Sequence, residues 1–158
     1  MPAMPSIHAS CVLVGARAVL VRGASGSGKS RLVHELIEAG RRGEVPFTRL
    51  VADDRTLVEA THGRLLARPV PALAGLLELR HIGLREMPFE PAALVGLVIN
   101  LDPKAERLPE AADEFAEIEG ISLPLVTVPG GNNVFPLILA KLAEPNIAGH
   151  FRDSLAER

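Results

Sequence analysis

The stretch Gly23-Ala24-Ser25-Gly26-Ser27-Gly28-Lys29-Ser30 decides how this chain is organised. It satisfies the whole pattern G-x-x-x-x-G-K-S of a phosphate-binding loop. Glycine permits backbone conformations that a Cβ would forbid, so successive N–H groups can point at a polyphosphate. Lys29 would neutralise the β- and γ-phosphates, and the Ser30 hydroxyl would ligate Mg²⁺. We therefore predict that these residues, called the phosphate loop below, bind a nucleotide.

The residues on both sides of the phosphate loop predict a strand before it and a helix after it. The strand is apolar and covers residues 18–21. Apolar residues then recur at helical spacing, at Leu32, Val33, Leu36 and Ile37. Gly40 is placed to end this helix. A plain Gly/Ser-rich turn is the alternative to a nucleotide site, and it leaves Lys29 and Ser30 unexplained.

Length and composition predict one globular domain over residues 1–158. The chain is 47% hydrophobic and 23% charged, which is ordinary for a globular protein. Its 17 basic and 19 acidic residues give a net charge of −2, so no basic excess points to nucleic acid or to a membrane surface. The longest apolar run, residues 92–99, is too short to cross a bilayer. Together with the single Cys11, this predicts a cytoplasmic protein.

The order of elements predicts more strands than an ordinary kinase with alternating strands and helices has. Two hairpins are expected, one around residues 15–17 and one around 62–63. Single strands are expected at 50–52, 92–101 and 123–128, and a helix starts at 137. Residues 72–79 fit a helix or a strand, and so do residues 115–118 in a polar stretch from 104 to 119. The fold class is therefore a mixed, strand-rich α/β sheet.

Several charged residues are candidates for chemistry. Asp53 and Asp54 end a predicted strand, where such sites hold Mg²⁺ or a general base, although an Asp-rich turn fits equally well. Adjacent residues of an extended chain point to opposite sides, so the two carboxylates should have different roles. Glu78 and Arg80 would share one face, or form a surface ion pair. His8 alone reads better as a surface histidine at the start of a strand.

Taken together, five segments resemble the catalytic domain of HPr kinase/phosphorylase, the bacterial enzyme that phosphorylates a serine of the phosphocarrier protein HPr. The segments are His8, residues 23–30, residues 50–54, residues 76–83 and residues 106–108. The likeness extends from His8 to about Asn146. It implies a fold akin to the nucleotide domain of phosphoenolpyruvate carboxykinase, with ATP and Mg²⁺ as cofactors and an HPr-type carrier as partner. It also implies a homo-oligomer, commonly a hexamer, and a short form without the N-terminal domain of longer members.

The resemblance implies roles for the residues that match the family pattern. Lys29 resembles the phosphate-contacting lysine, while Ser30 and Glu78 resemble the Mg²⁺ ligands, with Asp53 expected to support the metal. Asp54 resembles the base that takes the serine proton and returns it in the reverse direction.

Three further residues complete the implied catalytic set. His8 and Arg107 match residues that the family treats as catalytic, and the resemblance reverses the reading of His8 as a surface residue. Arg80 lies in the segment that the family assigns to both activities.

Two departures from the family pattern stand out. His81 replaces a glycine of the pattern L-x-E-x-R-G-x-G. The segment that resembles the dephosphorylating P-V-x-P-G-R-N is residues 128–133, with Asn132 where the arginine would fall. Because asparagine supplies no charge to an incoming phosphate, we predict mainly kinase activity with weak phosphorolysis.

Two other functions are compatible with the same phosphate loop. A small-molecule kinase with a phosphate loop would need an arginine-rich lid. Arg41, Arg42 and Arg49 are only weak candidates for such a lid. A non-catalytic nucleotide-binding switch would show a guanine-specific N-K-x-D motif, and the nearest string is Asn100-Leu101-Asp102-Pro103.

Overall fold

The protein is described here by a computed structural model, which covers residues 4–108, 110 and 114–152. Both ends of the predicted domain, residues 1–3 and 153–158, lie outside the described residues, as do 109 and 111–113 of the polar stretch. The strands in chain order are β1 (Ser6–Ile7), β2 (Ala9–Val14), β3 (Arg17–Gly23), β4 (Thr48–Ala52), β5 (Thr56–Thr61), β6 (Arg64–Pro69), β7 (Leu76–Leu79), β8 (Gly83–Glu86), β9 (Ala93–Leu101), β10 (Phe115–Ile118) and β11 (Ile121–Val128). The helices are α1 (Lys29–Arg41), α2 (Val134–Leu142) and α3 (Pro145–Phe151), and Pro71–Leu73 form a 3₁₀ turn.

Strand β9 is the centre of the sheet. It is almost wholly apolar and nearly all its residues are buried, which is the pattern of a strand covered on both faces. One edge of β9 pairs in parallel with β3, which pairs with β2 and then β4. The phosphate loop follows β3, so a strand beside the centre of the sheet holds the start of the loop in place.

The other edge of β9 divides between two partners. Its first residues pair antiparallel with β6, through Ala93 and Leu94. Its last residues, from Val98 to Leu101, pair in parallel with β11. The sheet therefore forks at β9 into an arm of β6, β5 and β1 and an arm of β11 and β10.

The two faces of the sheet carry separate cores. Helix α1 covers one face with its apolar stripe, including Leu32, Val33 and Leu36, against residues such as Val21 and Ile99. The opposite face packs against the two arms of the fork, where the buried residues include Cys11, Leu20, Val58, Leu65, Val98 and Ile118. Burial raises the pKa of the Cys11 thiol, so Cys11 is a structural apolar residue.

The structure confirms the mixed, strand-rich α/β class and corrects some details. Gly40 does not end α1 but lies within it, because the helix continues to Arg41. An added Cβ at Gly40 would overlap the Thr48 side chain of β4, so glycine is needed there for close packing. Residues 115–118 form strand β10 and not a helix, and α3 was not predicted.

Among the described residues, no helix is both long enough and apolar enough to cross a membrane.

Candidate functional site

The phosphate loop lies at the carboxyl ends of the parallel strands β3, β9 and β11. Gly26 and Gly28 have φ values of +82° and +103°, a region that side chains rarely enter. Gly28 is the N-cap of α1, with no side-chain cap, and the first turn of α1 holds no acidic residue. The N–H groups of that turn are therefore free to bind an anion.

Lys29 is buried within this loop. Only 5% of its side chain is exposed, and its Nζ donates to the carbonyls of Gly23 and Ala24 at 2.9 and 3.1 Å. Those bonds hold the ammonium group inside the loop that a phosphate would occupy. The ammonium group is therefore already shielded from water and in position before a polyphosphate binds.

Asp53 is held by hydrogen bonds from three directions. Its Oδ1 accepts from the hydroxyls of Ser30 at 2.7 Å and Ser10 at 2.8 Å. Its Oδ2 accepts from the backbone N–H of Glu78 at 3.0 Å. Asp53 thus ties the start of α1 to strands β2 and β7.

Asp54 has different partners, as the sequence predicted for adjacent aspartates. Its Oδ1 lies 2.7 Å from His8 Nε2 and 3.9 Å from Lys29 Nζ. The side chain is 68% exposed, so it faces the solvent at the mouth of the loop. The chain is not extended here, because Asp54 has a φ of +63° and the Arg55 N–H bonds to the Asp53 carbonyl. This tight turn separates the two carboxylates.

The hairpin of β7 and β8 brings Glu78 and Arg80 to the same place. Both residues line a cleft of about 640 Å³ that also contains the phosphate loop and Asp54. An added Cβ at Gly26 would lie 3.9 Å from Arg80 Nη2, so the guanidinium lies over the loop. His81, which replaces the glycine of the pattern, has a φ of +71°, which is the conformation that glycine adopts most easily.

The cleft does not include Arg107. This residue is exposed in the segment after β9, and within the described part of the chain it makes no hydrogen bond or ion pair. The structure therefore brings together His8, Lys29, Asp54 and Arg80 of the predicted catalytic set, while Arg107 stands apart.

A turn rich in glycine, residues 129–133, closes the far side of the phosphate loop. An added Cβ at Gly130 would lie 3.2 Å from the Ser27 carbonyl, so the two segments are in close contact. Asn132 accepts a hydrogen bond from Arg31 Nη1 at 3.0 Å, and Arg31 Nε donates to Glu35 at 2.9 Å. The neutral Asn132 alone indicated that this part of the site has no cation, but the structure places one there. Arg31 supplies one, although Glu35 offsets its charge.

The sequence of this chain matches a known protein family. The family model described as HPr Serine kinase C-terminal domain matches residues 1–146 of the chain. The chain belongs to this family. The resemblance identified from the five sequence segments is confirmed.

Named relatives in the HPr kinase family cover most of the chain. The HPr kinase/phosphorylase of Streptococcus thermophilus is 33% identical over 150 residues, which are 85% of this chain and 46% of that protein. That of Lactobacillus acidophilus is 34% identical over 137 residues, 78% of this chain and 40% of the relative. The chain thus spans about half the length of the curated relatives it matches.

A solved structure shows the same fold as this member of the HPr kinase family. The Hpr(Ser) kinase/phosphatase from Coxiella burnetii superposes with a TM-score of 0.73 at 22% identity. The match covers 92% of this chain and 98% of that one. Because the match covers nearly all of both chains, it confirms the predicted fold class.

The oxygen atoms near the phosphate loop fit a magnesium ion. Mg²⁺ takes hard oxygen ligands and uses one or two protein groups together with substrate phosphates. Ser30 Oγ lies beside the Asp53 carboxylate, and Glu78 lines the same cleft. Over residues 4–108, 110 and 114–152, no cluster of three or more His, Cys, Asp and Glu forms a separate metal cage. A magnesium site in this family member would draw on Ser30, Glu78 and the nucleotide itself.

The arginines considered for a lid lie elsewhere. Arg41 and Arg42 are at the opposite end of α1, roughly 20 Å from the phosphate loop at 1.5 Å per residue. Arg41 pairs with Glu38, and Arg42 pairs with Glu44. Arg49 lies over the ring of Phe47. None of these three arginines lies over the cleft.

Sequence reasoning missed two residues of the site. Ser10 is fully buried and contacts both aspartates, but no motif in the sequence points to it. Arg31 was not considered, although it directly follows the phosphate loop. A lone serine in an apolar strand is the signal that could have pointed to Ser10, because buried hydroxyls need partners.

Proposed function

We propose that this protein is an ATP- and Mg²⁺-dependent kinase that phosphorylates a serine of an HPr-type phosphocarrier, with weak phosphorolysis in reverse. One observation carries the proposal. An exposed carboxylate, Asp54, lies 3.9 Å from the buried lysine of the phosphate loop and 2.7 Å from His8. The names of the relatives, HPr kinase/phosphorylase, support the same substrate class.

The forward reaction needs a base beside the phosphate loop. A serine hydroxyl is a weak nucleophile at neutral pH, so a carboxylate must accept its proton as the new bond forms. Asp54 is exposed enough to meet a protein substrate and close enough to Lys29 to act at the γ-phosphate. The serine oxygen then bonds to the γ-phosphorus, the bond to the β-phosphate oxygen breaks, and ADP leaves. His8, in contact with Asp54, orients the carboxylate.

The remaining residues stabilise charge. Lys29, the N–H groups of the phosphate loop and Arg80 surround the position of the transferred phosphoryl group, where they spread its developing charge. Ser30 and Glu78 would hold Mg²⁺, with Asp53 supporting Ser30, and the ion would neutralise the β- and γ-phosphates when bound. Arg107 would join this set only through movement of its segment or from a neighbouring subunit.

The reverse reaction uses the same carboxylate as an acid. An oxygen of inorganic phosphate bonds to the phosphorus of phosphoserine, and the bond from that phosphorus to the serine oxygen breaks. The serine oxygen takes a proton from Asp54, and pyrophosphate leaves. The attacking phosphate carries about two negative charges and needs cations along its approach. Asn132 is neutral and the charge of Arg31 is offset by Glu35 at 2.9 Å, so this direction should be slow.

The cellular setting is part of the proposal. A reaction that uses ATP and a phosphocarrier belongs in the cytoplasm, as the sequence predicted. We also propose a homo-oligomer, and a hexamer is the form that the family resemblance implies.

Incubation with γ-labelled ATP, Mg²⁺ and an HPr-type carrier tests the proposal. We expect the label on one carrier serine, and its loss when that serine is replaced by alanine. A Lys29→Ala variant serves as the inactive control. Label on a small metabolite would show a small-molecule kinase, and nucleotide binding without transfer would show a non-catalytic switch. Either result would refute the proposed function.

A further inference from the structure

Ser10 is a polar residue in an apolar strand. Its neighbours in β2 are Ala9, Cys11 and Val12, and all four residues have no exposed surface. Buried hydroxyl groups are costly unless they form hydrogen bonds. The contacts of its hydroxyl must therefore explain why a serine occupies this position.

The hydroxyl of Ser10 makes two hydrogen bonds in opposite senses. It donates to Asp53 Oδ1 at 2.8 Å and accepts from the backbone N–H of Asp54 at 3.0 Å. One hydroxyl offers one donor and two acceptor positions, so both bonds form together. Ser10 thus fixes the side chain of one aspartate and the backbone of the next.

The backbone that Ser10 holds is strained. Asp54 has a φ of +63°, and the Arg55 N–H bonds at 2.7 Å to the Asp53 carbonyl across it. Such a conformation in a residue other than glycine is unfavourable unless the surroundings hold it. The bond from the Asp54 N–H to Ser10 is the contact that anchors this turn to the core of the sheet.

The turn decides where the proposed base points. With it in place, Asp54 Oδ1 lies 2.7 Å from His8 and 3.9 Å from Lys29. Asp53 Oδ1 at the same time accepts from Ser30 at 2.7 Å. The fully buried Ser10 hydroxyl therefore links the proposed base to the serine that would ligate Mg²⁺.

We propose that Ser10 is a positioning residue for phosphoryl transfer, which acts through Asp53 and Asp54. This inference rests on the proposed function. A misplacement of reacting groups by about 1 Å is enough to lower a rate by about a hundredfold. Removal of the hydroxyl should thus affect turnover far more than nucleotide binding, because the phosphate loop itself stays intact.

The test compares Ser10→Ala with Thr56→Val. Thr56 is the matched control, since it is also fully buried and its hydroxyl donates to the Ala9 carbonyl of β2 at 2.8 Å. We expect Ser10→Ala to lower kcat for carrier phosphorylation by about ten- to a hundredfold, with less than a threefold change in nucleotide Kd. Thr56→Val should keep kcat within about threefold of the unchanged protein. Ser10→Thr, which retains the hydroxyl, should recover most of the lost turnover.

A second measurement does not depend on activity. The Asp54 N–H should exchange slowly with solvent in the unchanged protein and in Thr56→Val, and at least tenfold faster in Ser10→Ala, as followed by NMR. Equal exchange rates in all three proteins, or equal losses of kcat in the two variants, would overturn the inference. If the unchanged protein transfers no label to any carrier, the proposed function is refuted instead. That result is seen before any variant is compared.

Discussion

At the scale of single residues, Lys29 is the most informative position. Its side chain is nearly fully buried, yet its Nζ contacts carbonyls of the phosphate loop and the Asp54 carboxylate and no atom of the hydrophobic core. We expect Lys29→Ala to lower transfer by at least about a hundredfold, the usual effect of removing one such donor, while circular dichroism shows an intact fold. Lys29→Met, which keeps most of the apolar stem, is the matched control for packing. A Met variant that keeps normal transfer would contradict the role assigned to the ammonium group.

Asp53 is expected to respond differently from the proposed base. In Asp53→Asn one oxygen can still accept from Ser10 and Ser30, but the new NH₂ group would face the Glu78 N–H. Two opposed donors cannot form the hydrogen bond that the Glu78 N–H makes with the carboxylate, and the loss of one such bond costs about 1 kcal/mol. We predict a lower Tm and a higher Mg²⁺ concentration at half-maximal activity. Unchanged Tm and unchanged Mg²⁺ dependence would show that Asp53 is only part of a surface turn.

At the scale of elements, the contact between α1 and β4 depends on Gly40. An added Cβ would overlap the Thr48 side chain, coming within 2.8 Å of its Cγ2. Overpacking of this kind costs about 1–3 kcal/mol, so Gly40→Ala should lower the free energy of unfolding in urea. Gly149 in α3 is the control, because its Cβ would meet open space and alanine there should add up to about 1 kcal/mol. Equal effects at both positions would contradict the packing described here.

We propose that the turn of residues 129–133 controls the direction of reaction. Asn132→Arg would add a second cation beside Arg31, which now donates to Asn132 at 3.0 Å. Exchanging a neutral for a charge-assisted hydrogen bond is worth about 1–1.5 kcal/mol, or roughly tenfold in rate. Release of pyrophosphate from serine-phosphorylated carrier should therefore rise about tenfold, while Asn132→Gln should leave it unchanged. Similar forward and reverse rates before any mutation would show that position 132 does not limit phosphorolysis.

At the scale of the whole molecule, the local parts of the site were predictable and its assembly was not. The phosphate loop, β3 and the first turns of α1 follow from short patterns within about 20 residues. His8 could not be placed from such patterns, because it meets Asp54 across 46 residues through the pairing of Ile7 with Thr56. The fork of β9 is equally non-local, since a continuous apolar run does not specify which strands pair with each half.

Similar reasons explain why the sequence left open whether the chain turns at Asp54. Its positive φ depends on a hydrogen bond to Ser10, which is 44 residues away in the sequence. Local propensity favours an extended chain after Leu50, Val51 and Ala52, and tertiary contacts override it. The family resemblance supplied the role of His8, whereas the residues alone favoured a surface histidine.

The central claim is that Asp54 is the base of a serine kinase, and single-turnover phosphorylation of the carrier by Asp54→Asn tests it most directly. Asparagine keeps the size and hydrogen bonding of the side chain but accepts no proton. With saturating ATP and Mg²⁺, we predict a rate lower by a factor of about 10² to 10⁴, with nucleotide Kd changed less than threefold. A rate within threefold of the unchanged protein would contradict the claim.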